Sequence, residues 1–288
     1  MTPSWDQLGK IDPKALWEAR LQAHHAAQWV VRAGCANIVP MPGDTQFSLG
    51  WDRERGALVS PELRGRNTTL RVGLAIRTMT LIALRETNVI DQFVLDGKRH
   101  REAGIWLDGV LSGAGLALAG GATLPYTIPA HPVGDGAAYV CGSEYAEFAV
   151  LANWFACADD MLESIHRALP QGAASLVRCW PHHFDIATLW TLGEGDIQTA
   201  PSVSIGMCPG DAHFAQPYFY VTPWPQPAPE RLPPLPPPGD WYTNEFFGAV
   251  VTGDALVALP DPAIRTRQFL DAAVNVARRL VAPRSVRR

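Results

Sequence analysis

The chain has 288 residues, with 24 basic and 28 acidic side chains and a formal net charge of −4 at neutral pH. This balance excludes the strongly basic field that non-specific binding to nucleic acid requires. Hydrophobic residues make up 47% of the chain, which is ordinary globular usage, and Gly, Asn or Arg interrupts the longest apolar runs, so we expect no membrane span.

The cysteines and the first residues indicate the compartment. Five cysteines are scattered along the chain without a Cys-x-x-Cys motif. Such a set is typical of free thiols in a reducing environment. The first ten residues are polar and show no apolar export signal. We therefore expect a cytoplasmic protein.

The first predicted element is a helix over residues 13–33. Asp12 is a good N-cap, Pro13 suits a first helical turn, and Gly34 suits the end of the helix. Four residues recur at helical spacing and so share one face: Trp17, Leu21, His24 and Gln28.

The segment that follows has the pattern of an antiparallel sheet. Apolar and polar residues alternate from Phe47 to Trp51, and a turn is predicted at residues 52–56. A return strand is predicted to start at residues 58–59, and residues 68–84 supply further β-favouring side chains. A short helix over 98–112 and a short strand over 123–128 are predicted next.

The second half is predicted to alternate helices with strands. Long amphipathic helices are expected over 143–169 and 262–281, and the proline-rich segment 223–239 is expected to be extended without a helix. The predicted strands are 175–190, bent at Pro181, then 203–207, 218–222 and 246–252. With no clear linker, the pattern predicts one α+β domain over residues 1–288, a mostly antiparallel sheet packed against the helices 13–33, 143–169 and 262–281.

The densest polar motif is Trp180-Pro-His-His-Phe-Asp185. On a strand, alternate side chains face opposite ways, so His183 and Asp185 would share a face. The pair could ligate a divalent metal, or act as a base and its orienting group. A metal site normally needs three or four ligands, and His24 or His213 could complete it. The alternative is a hydrogen-bonded core histidine beside a structural aspartate.

Three further features were considered for a functional role. Cys208 could be a nucleophile with His183 or His213 as its base, although a single cysteine is more often a small buried side chain. The loop from Gly206 to Asp211 lacks the Lys and Ser/Thr of a phosphate-binding loop, so it does not predict nucleotide binding. Aromatic residues concentrate in the last quarter, where they could line a ligand pocket or fill a core.

Four motifs resemble a bacterial family catalogued as a domain of unknown function. They are Trp180-Pro-His-His-Phe-Asp-Ile-Ala187, Pro209-Gly-Asp211, Gln216-Pro-Tyr-Phe-Tyr220 and Pro223-Trp-Pro225. The resemblance covers nearly the whole chain. Members of that family can carry Gly-Ser where this chain has His182-His183, so the resemblance extends to Asp185 better than to the histidines. It implies a single cytoplasmic domain and no known substrate, cofactor or catalytic residue.

Two functions are compatible with these patterns. The first is an enzyme that acts on a small organic molecule by acid–base or metal-assisted chemistry, with His183 and Asp185 at its centre and His24 assisting. The second is a non-catalytic protein that binds a ligand or a protein partner, in which these residues are structural and the proline-rich segment meets the partner. If His183, Asp185 and His24 converge in a pocket, the enzyme is favoured. If backbone groups take up the hydrogen bonds of these side chains, the binding protein is favoured.

Overall fold

The computed structural model describes residues 2–40, 46–66, 68–193 and 199–282. Its α-helices are α1 (Trp17–Asn37), α2 (His100–Gly113), α3 (Tyr145–Ala168), α4 (Gly253–Val257) and α5 (Pro262–Val281). Its strands are β1 (Gly50–Asp52), β2 (Ala57–Val59), β3 (Leu63–Arg64), β4 (Thr69–Ala75), β5 (Thr80–Arg85), β6 (Asn88–Val94), β7 (Arg178–Trp180), β8 (Asp185–Thr191), β9 (Ser202–Cys208), β10 (Tyr218–Trp224), β11 (Asp240–Tyr242) and β12 (Gly248–Thr252). The predicted α+β class, with antiparallel sheets and three longer helices, is confirmed.

The residues group into two compact units that interleave along the chain. The first unit contains residues 2–3, Ala15–Ala156 and Arg178–Phe184. The second contains Ser4–Lys14, Cys157–Val177 and the chain from Asp185 onward. Neither unit is a continuous stretch of sequence, so no single cut of the chain would release either one intact. The single domain stays a prediction.

The first unit is built on an antiparallel sheet with strand order β1-β2-β4-β5-β6, and β3 pairs with β4. Helix α1 is buried on nearly all sides. Its many alanines allow neighbouring backbones to approach closely. Trp29 on α1 meets α2 at Gly104, where an added Cβ would lie 2.5 Å from Cη2 of the indole. The absence of a side chain at Gly104 therefore sets the contact between these two helices.

The second unit is built on antiparallel strands in the order β11-β12-β10-β9-β8. Helix α5 packs on β9 and β10, because one of its faces is apolar. Phe269, Leu270 and Ala273 on that face are fully or almost fully buried. The ring of Trp5 stacks on Phe219 of β10 with 6.0 Å between ring centroids.

The first predicted helix differs from the structure at both ends. Residues Pro13–Leu16 form a 3₁₀ turn, and the α-helix runs on to Asn37. Gly34 lies inside the helix, where a Cβ would come within 2.6 Å of the Gln46 carbonyl oxygen. This glycine is needed for close packing and does not end the helix. Of the four residues predicted to share one face of this helix, Trp17 is 52% exposed, whereas Leu21, His24 and Gln28 are buried.

Three other local predictions are wrong. Residues 175–190 are not one strand, because a turn over residues 181–184 separates β7 from β8. Residues 123–128 form no strand. The proline-rich segment contains a 3₁₀ turn at Pro229–Arg231, which a proline in the first position permits. Among the described residues, no helix is long and apolar enough to cross a membrane.

Candidate functional site

The predicted His183–Asp185 motif falls on a turn followed by a strand. Phe184 has a left-handed backbone with φ of 60°, and β8 begins only at Asp185. Strand alternation therefore does not apply to His183, so His183 and Asp185 do not share a strand face as predicted. The His183 side chain is exposed, whereas Phe184 is fully buried.

His24 holds this turn within the first unit. Its Nε2 donates to the carbonyl oxygen of Pro181 at 2.7 Å, since a carbonyl can only accept. Its ring stacks on Phe184 with 4.9 Å between centroids and 11° between planes. Gln28 donates to the same Pro181 carbonyl at 3.2 Å and accepts from the Tyr126 hydroxyl at 2.9 Å. His24 and Gln28, predicted to share a face, thus both anchor one backbone carbonyl.

The environment of His24 keeps it neutral. Burial, with a smaller contribution from neighbouring cationic groups, lowers the pKa of His24 to about 3. With its proton on Nε2, the ring keeps a lone pair on Nδ1, which is buried and has no hydrogen-bond partner among the residues that the structure describes. Nε2 of His24 is thus bonded to a backbone carbonyl, which favours an architectural role for this nitrogen, whereas Nδ1 is not saturated.

Asp185 belongs to the second unit and is buried beside Tyr220. The Tyr220 hydroxyl donates a short hydrogen bond to the Asp185 carboxylate. Tyr220 on β10 pairs with Gly206 on β9, which in turn pairs with Ala187 on β8. A Cβ on Gly206 would lie 2.6 Å from the Tyr220 ring. The glycine therefore lets the tyrosine ring cross β9 and reach a carboxylate two strands away.

Asp211 fastens the loop between β9 and β10. Its carboxylate accepts from the backbone N–H groups of His213 and Phe214 at 2.8 and 2.9 Å, and from the Tyr218 hydroxyl at 2.7 Å. The Pro-Gly-Asp motif therefore has a structural explanation. Cys208 is almost fully buried, and burial together with nearby carboxylates raises its pKa well above its ordinary value. A thiolate nucleophile is disfavoured in that environment.

The sequence predicted a metal site at His183 and Asp185, which both lie within the described ranges of the chain. Within them, no group of three or more His, Cys, Asp or Glu side chains could hold a metal ion. His213 lies in the second unit, with its Nδ1 3.5 Å from a Glu245 carboxylate oxygen and its ring stacked on Phe246. Metal binding at His183 and Asp185 stays a prediction.

A pocket of about 560 Å³ opens on the first unit at helix α2. Residues four apart on a helix share a face, and His100, Gly104 and Asp108 form one wall in this way. Its other lining residues come from α1, the same helix α2 and two glycine-containing loops: Trp29, Arg101, Ile105, Gly120, Gly134, Asp135 and Gly136. The volume lies within the range of roughly 300–1,000 Å³ that is usual for ligand pockets.

His100 has a defined tautomer in this pocket. Its Nδ1 lies 3.2 Å from the Trp29 indole nitrogen and 2.9 Å from the Tyr139 hydroxyl. An indole N–H can only donate, so Nδ1 accepts and the ring proton is on Nε2. Burial, with smaller effects of His25 and Arg32, lowers the pKa of His100 to about 4. The ring is therefore neutral at pH 7, and Nε2–H is the donor left for a ligand.

Two hydrogen bonds to α1 fix the loop that forms the opposite wall. His25 Nε2 lies 2.9 Å from the Pro129 carbonyl oxygen, which must be its acceptor, and His131 Nε2 lies 2.9 Å from a Glu18 carboxylate oxygen. A Cβ at Gly134 would be 2.8 Å from the His25 ring, so the loop approaches closely because it carries glycine there. His24 and His25 therefore bond to different segments, at the Pro181 and Pro129 carbonyls, as the 100° between adjacent helical positions predicts.

Sequence reasoning did not identify the pocket residues. Trp29 and His100 are 71 positions apart, and Tyr139 is a further 39 along the chain. No short motif links them. The available signals were His100 at the start of an amphipathic helix and two small-residue loops, which are too common to specify a site.

Comparison with protein-family models, with curated proteins and with solved structures finds no match to this chain. The site is therefore interpreted from its own geometry.

Proposed function

We propose that this protein binds a small organic molecule in the pocket beside His100. The observation that carries the proposal is the pairing at His100: Trp29 and Tyr139 occupy Nδ1, which fixes a neutral ring with an Nε2–H donor in a pocket of ligand size. A ligand carbonyl or carboxylate oxygen would accept from Nε2. The apolar part of the ligand would lie against Trp29 and the 61%-exposed side chain of Ile105.

Preorganisation supports a binding role for this pocket. The tautomer of His100 is set before any ligand arrives, and the opposite wall is tied to α1 by His25 and Glu18. A preformed pocket binds more tightly because less conformational freedom is lost on association. Neither His100 nor the loop needs to rearrange.

The test is a ligand-observed NMR screen of small carboxylates and carbonyl compounds against wild-type protein and His100→Asn. Asparagine Oδ1 can replace Nδ1 as acceptor for Trp29 and Tyr139, while the Nε2–H donor is lost. We expect compounds that bind wild type to bind this variant about tenfold more weakly, the loss expected for one hydrogen bond in a ligand site.

The matched control is His166→Asn, which changes a half-buried histidine of α3 outside the pocket lining. It should bind as wild type does. Equal affinity of His100→Asn and wild type for every hit would contradict the proposal, and so would the absence of any hit at millimolar concentration. Circular dichroism and thermal melting of both variants establish that they are folded.

Acid–base chemistry at His183 and Asp185 is the second candidate. It is favoured by the burial of the Asp185 carboxylate together with its Tyr220 donor, since a buried carboxyl–phenol pair can hold a proton. His183→Ala removes an exposed side chain, so its melting temperature should stay near that of wild type. This candidate requires that the variant lose an activity or a retained metal that wild type has. Equal metal content and equal activity in both proteins would count against it.

A further inference from the structure

A second pocket, of about 330 Å³, lies in the second unit along helix α5. The residues that α5 contributes follow helical spacing: Arg267, Asp271, Val274, Asn275 and Arg278. The facing side is formed by the last turn of α3 and by β8, through Ile165, Ala168, Leu169, Pro170 and Trp190. The pocket is separate in the chain from the His100 site and shares no residue with it.

One end of this pocket is electrically neutral. Arg267 Nε donates to both carboxylate oxygens of Asp271, at 2.9 and 2.8 Å, and Arg267 Nη1 donates to the Ser164 hydroxyl at 2.9 Å. These bonds hold the Arg267 side chain in place and offset its charge. A charged ligand would therefore gain little electrostatic stabilisation at the Arg267–Asp271 end of the pocket.

The other end carries the positive charge of Arg278. Its side chain is exposed and has no hydrogen-bond or ion-pair partner within the described ranges of the chain. Arginine presents planar, paired donors that match a carboxylate. The charge asymmetry along α5 thus favours an anionic group at Arg278.

The stretch between the two ends is apolar. Val274 and Trp190 are each 8% exposed and Ile165 is 4% exposed, so they form a nearly closed apolar floor. Asp271 and Arg278 are seven residues apart, which corresponds to about 10 Å along a helix. A ligand that fills this stretch has an apolar body of about that length.

We propose that this pocket binds a monocarboxylate with an apolar aromatic or aliphatic body. The carboxylate pairs with the Arg278 guanidinium, and the body lies over Val274 and Trp190. This site shares no residue with the His100 pocket, so either proposal can be wrong while the other is right.

The test uses 3-phenylpropionate and its neutral counterpart 3-phenylpropan-1-ol as probes, measured by isothermal titration calorimetry on the full chain. The two probes differ only in the head group. We expect the carboxylate to bind in the millimolar range or better, and the alcohol to bind about tenfold more weakly. No saturable binding of the carboxylate would overturn the proposal, as would equal binding of the two probes.

Three variants test whether the carboxylate binds in this pocket. Arg278→Gln should weaken carboxylate binding about tenfold, and Ala168→Trp, which fills the pocket from an exposed position, should abolish it. Arg279→Gln is the matched control, because Arg279 lies in the same last turn of α5 but outside the pocket lining. Both arginines can complement the helix dipole, so only a role in the pocket distinguishes them. Binding unchanged in Arg278→Gln, or weakened equally in Arg279→Gln, would overturn the proposal.

Discussion

Replacing Gly206 with alanine is expected to destabilise the fold by about 3 kcal/mol, the upper end of the cost of overpacking a tight core site. The added Cβ would lie 2.6 Å from the Tyr220 ring and hydroxyl, so the ring has to move. Movement of the ring breaks the hydrogen bond from Tyr220 to the buried Asp185 carboxylate. Loss of a donor to a buried charge adds to the cost of the clash. Urea unfolding at pH 7 measures the change.

The control for Gly206→Ala is Gly109→Ala. Gly109 lies inside α2 and has no neighbour that a Cβ would meet within 4 Å. Alanine there should stabilise the helix by about 1 kcal/mol. In a Tyr220→Leu background, Gly206→Ala should lose most of its effect, because the ring it clashes with is gone. Additive effects in the double variant would show that the Tyr220 ring does not fill the space over Gly206.

Acid is expected to destabilise the protein between pH 6.5 and 4.5 through its buried histidines. The pKa of His24 is about 3 in the folded protein and 6.5 in a model peptide, so on acidification the unfolded chain takes up a proton that the folded chain excludes. Stability is therefore full above pH 6.5 and falls by about 1.4 kcal/mol per pH unit below it. His24 alone accounts for a loss of about 3 kcal/mol by pH 4.5. His100, with a pKa of about 4, acts in the same direction.

His24→Gln isolates this contribution. A glutamine amide can donate to the Pro181 carbonyl as Nε2 of His24 does, but it does not titrate. The variant should show a pH dependence shallower by about 1.4 kcal/mol per pH unit between pH 6.5 and 4.5. The free energy of unfolding of both proteins is measured by urea unfolding at several pH values, and its slopes against pH are compared. A loss of stability that is the same at every pH does not affect this comparison. Equal slopes would mean that His24 is not buried in its neutral form.

The sequence predicted the elements whose signal is local. Helix 262–281 matches α5 at both ends, because Pro262 begins it and its apolar face is regular. The predicted strand 203–207 lies inside β9, and the predicted strand 218–222 matches the first five residues of β10. The spacing of apolar residues along these segments follows from burial of one face or of both faces, so the sequence alone is enough to predict them.

The remaining features depend on contacts far apart in sequence. The turn at residues 181–184 is held by His24 and Gln28, more than 150 positions earlier, and no local pattern signals a left-handed Phe184. Gly34 resembled a helix end, but its role is close contact with the backbone at Gln46. His24 was predicted to assist His183 and Asp185, and that role stays a prediction; its bond to the Pro181 carbonyl could not be inferred from its neighbours in sequence. His100 gave no specific signal, because its partners Trp29 and Tyr139 lie 71 and 39 positions away in the sequence.

The most direct test of the proposed binding site is the protonation of His100, read from a long-range ¹H–¹⁵N correlation spectrum of the histidine rings at pH 7. We expect a neutral ring with the proton on Nε2 and with Nδ1 shifted as a hydrogen-bond acceptor. A compound found in the screen should perturb the Nε2 resonance first. A ring protonated on Nδ1, a doubly protonated ring at pH 7, or an Nε2 resonance unchanged at saturating ligand would contradict the proposal.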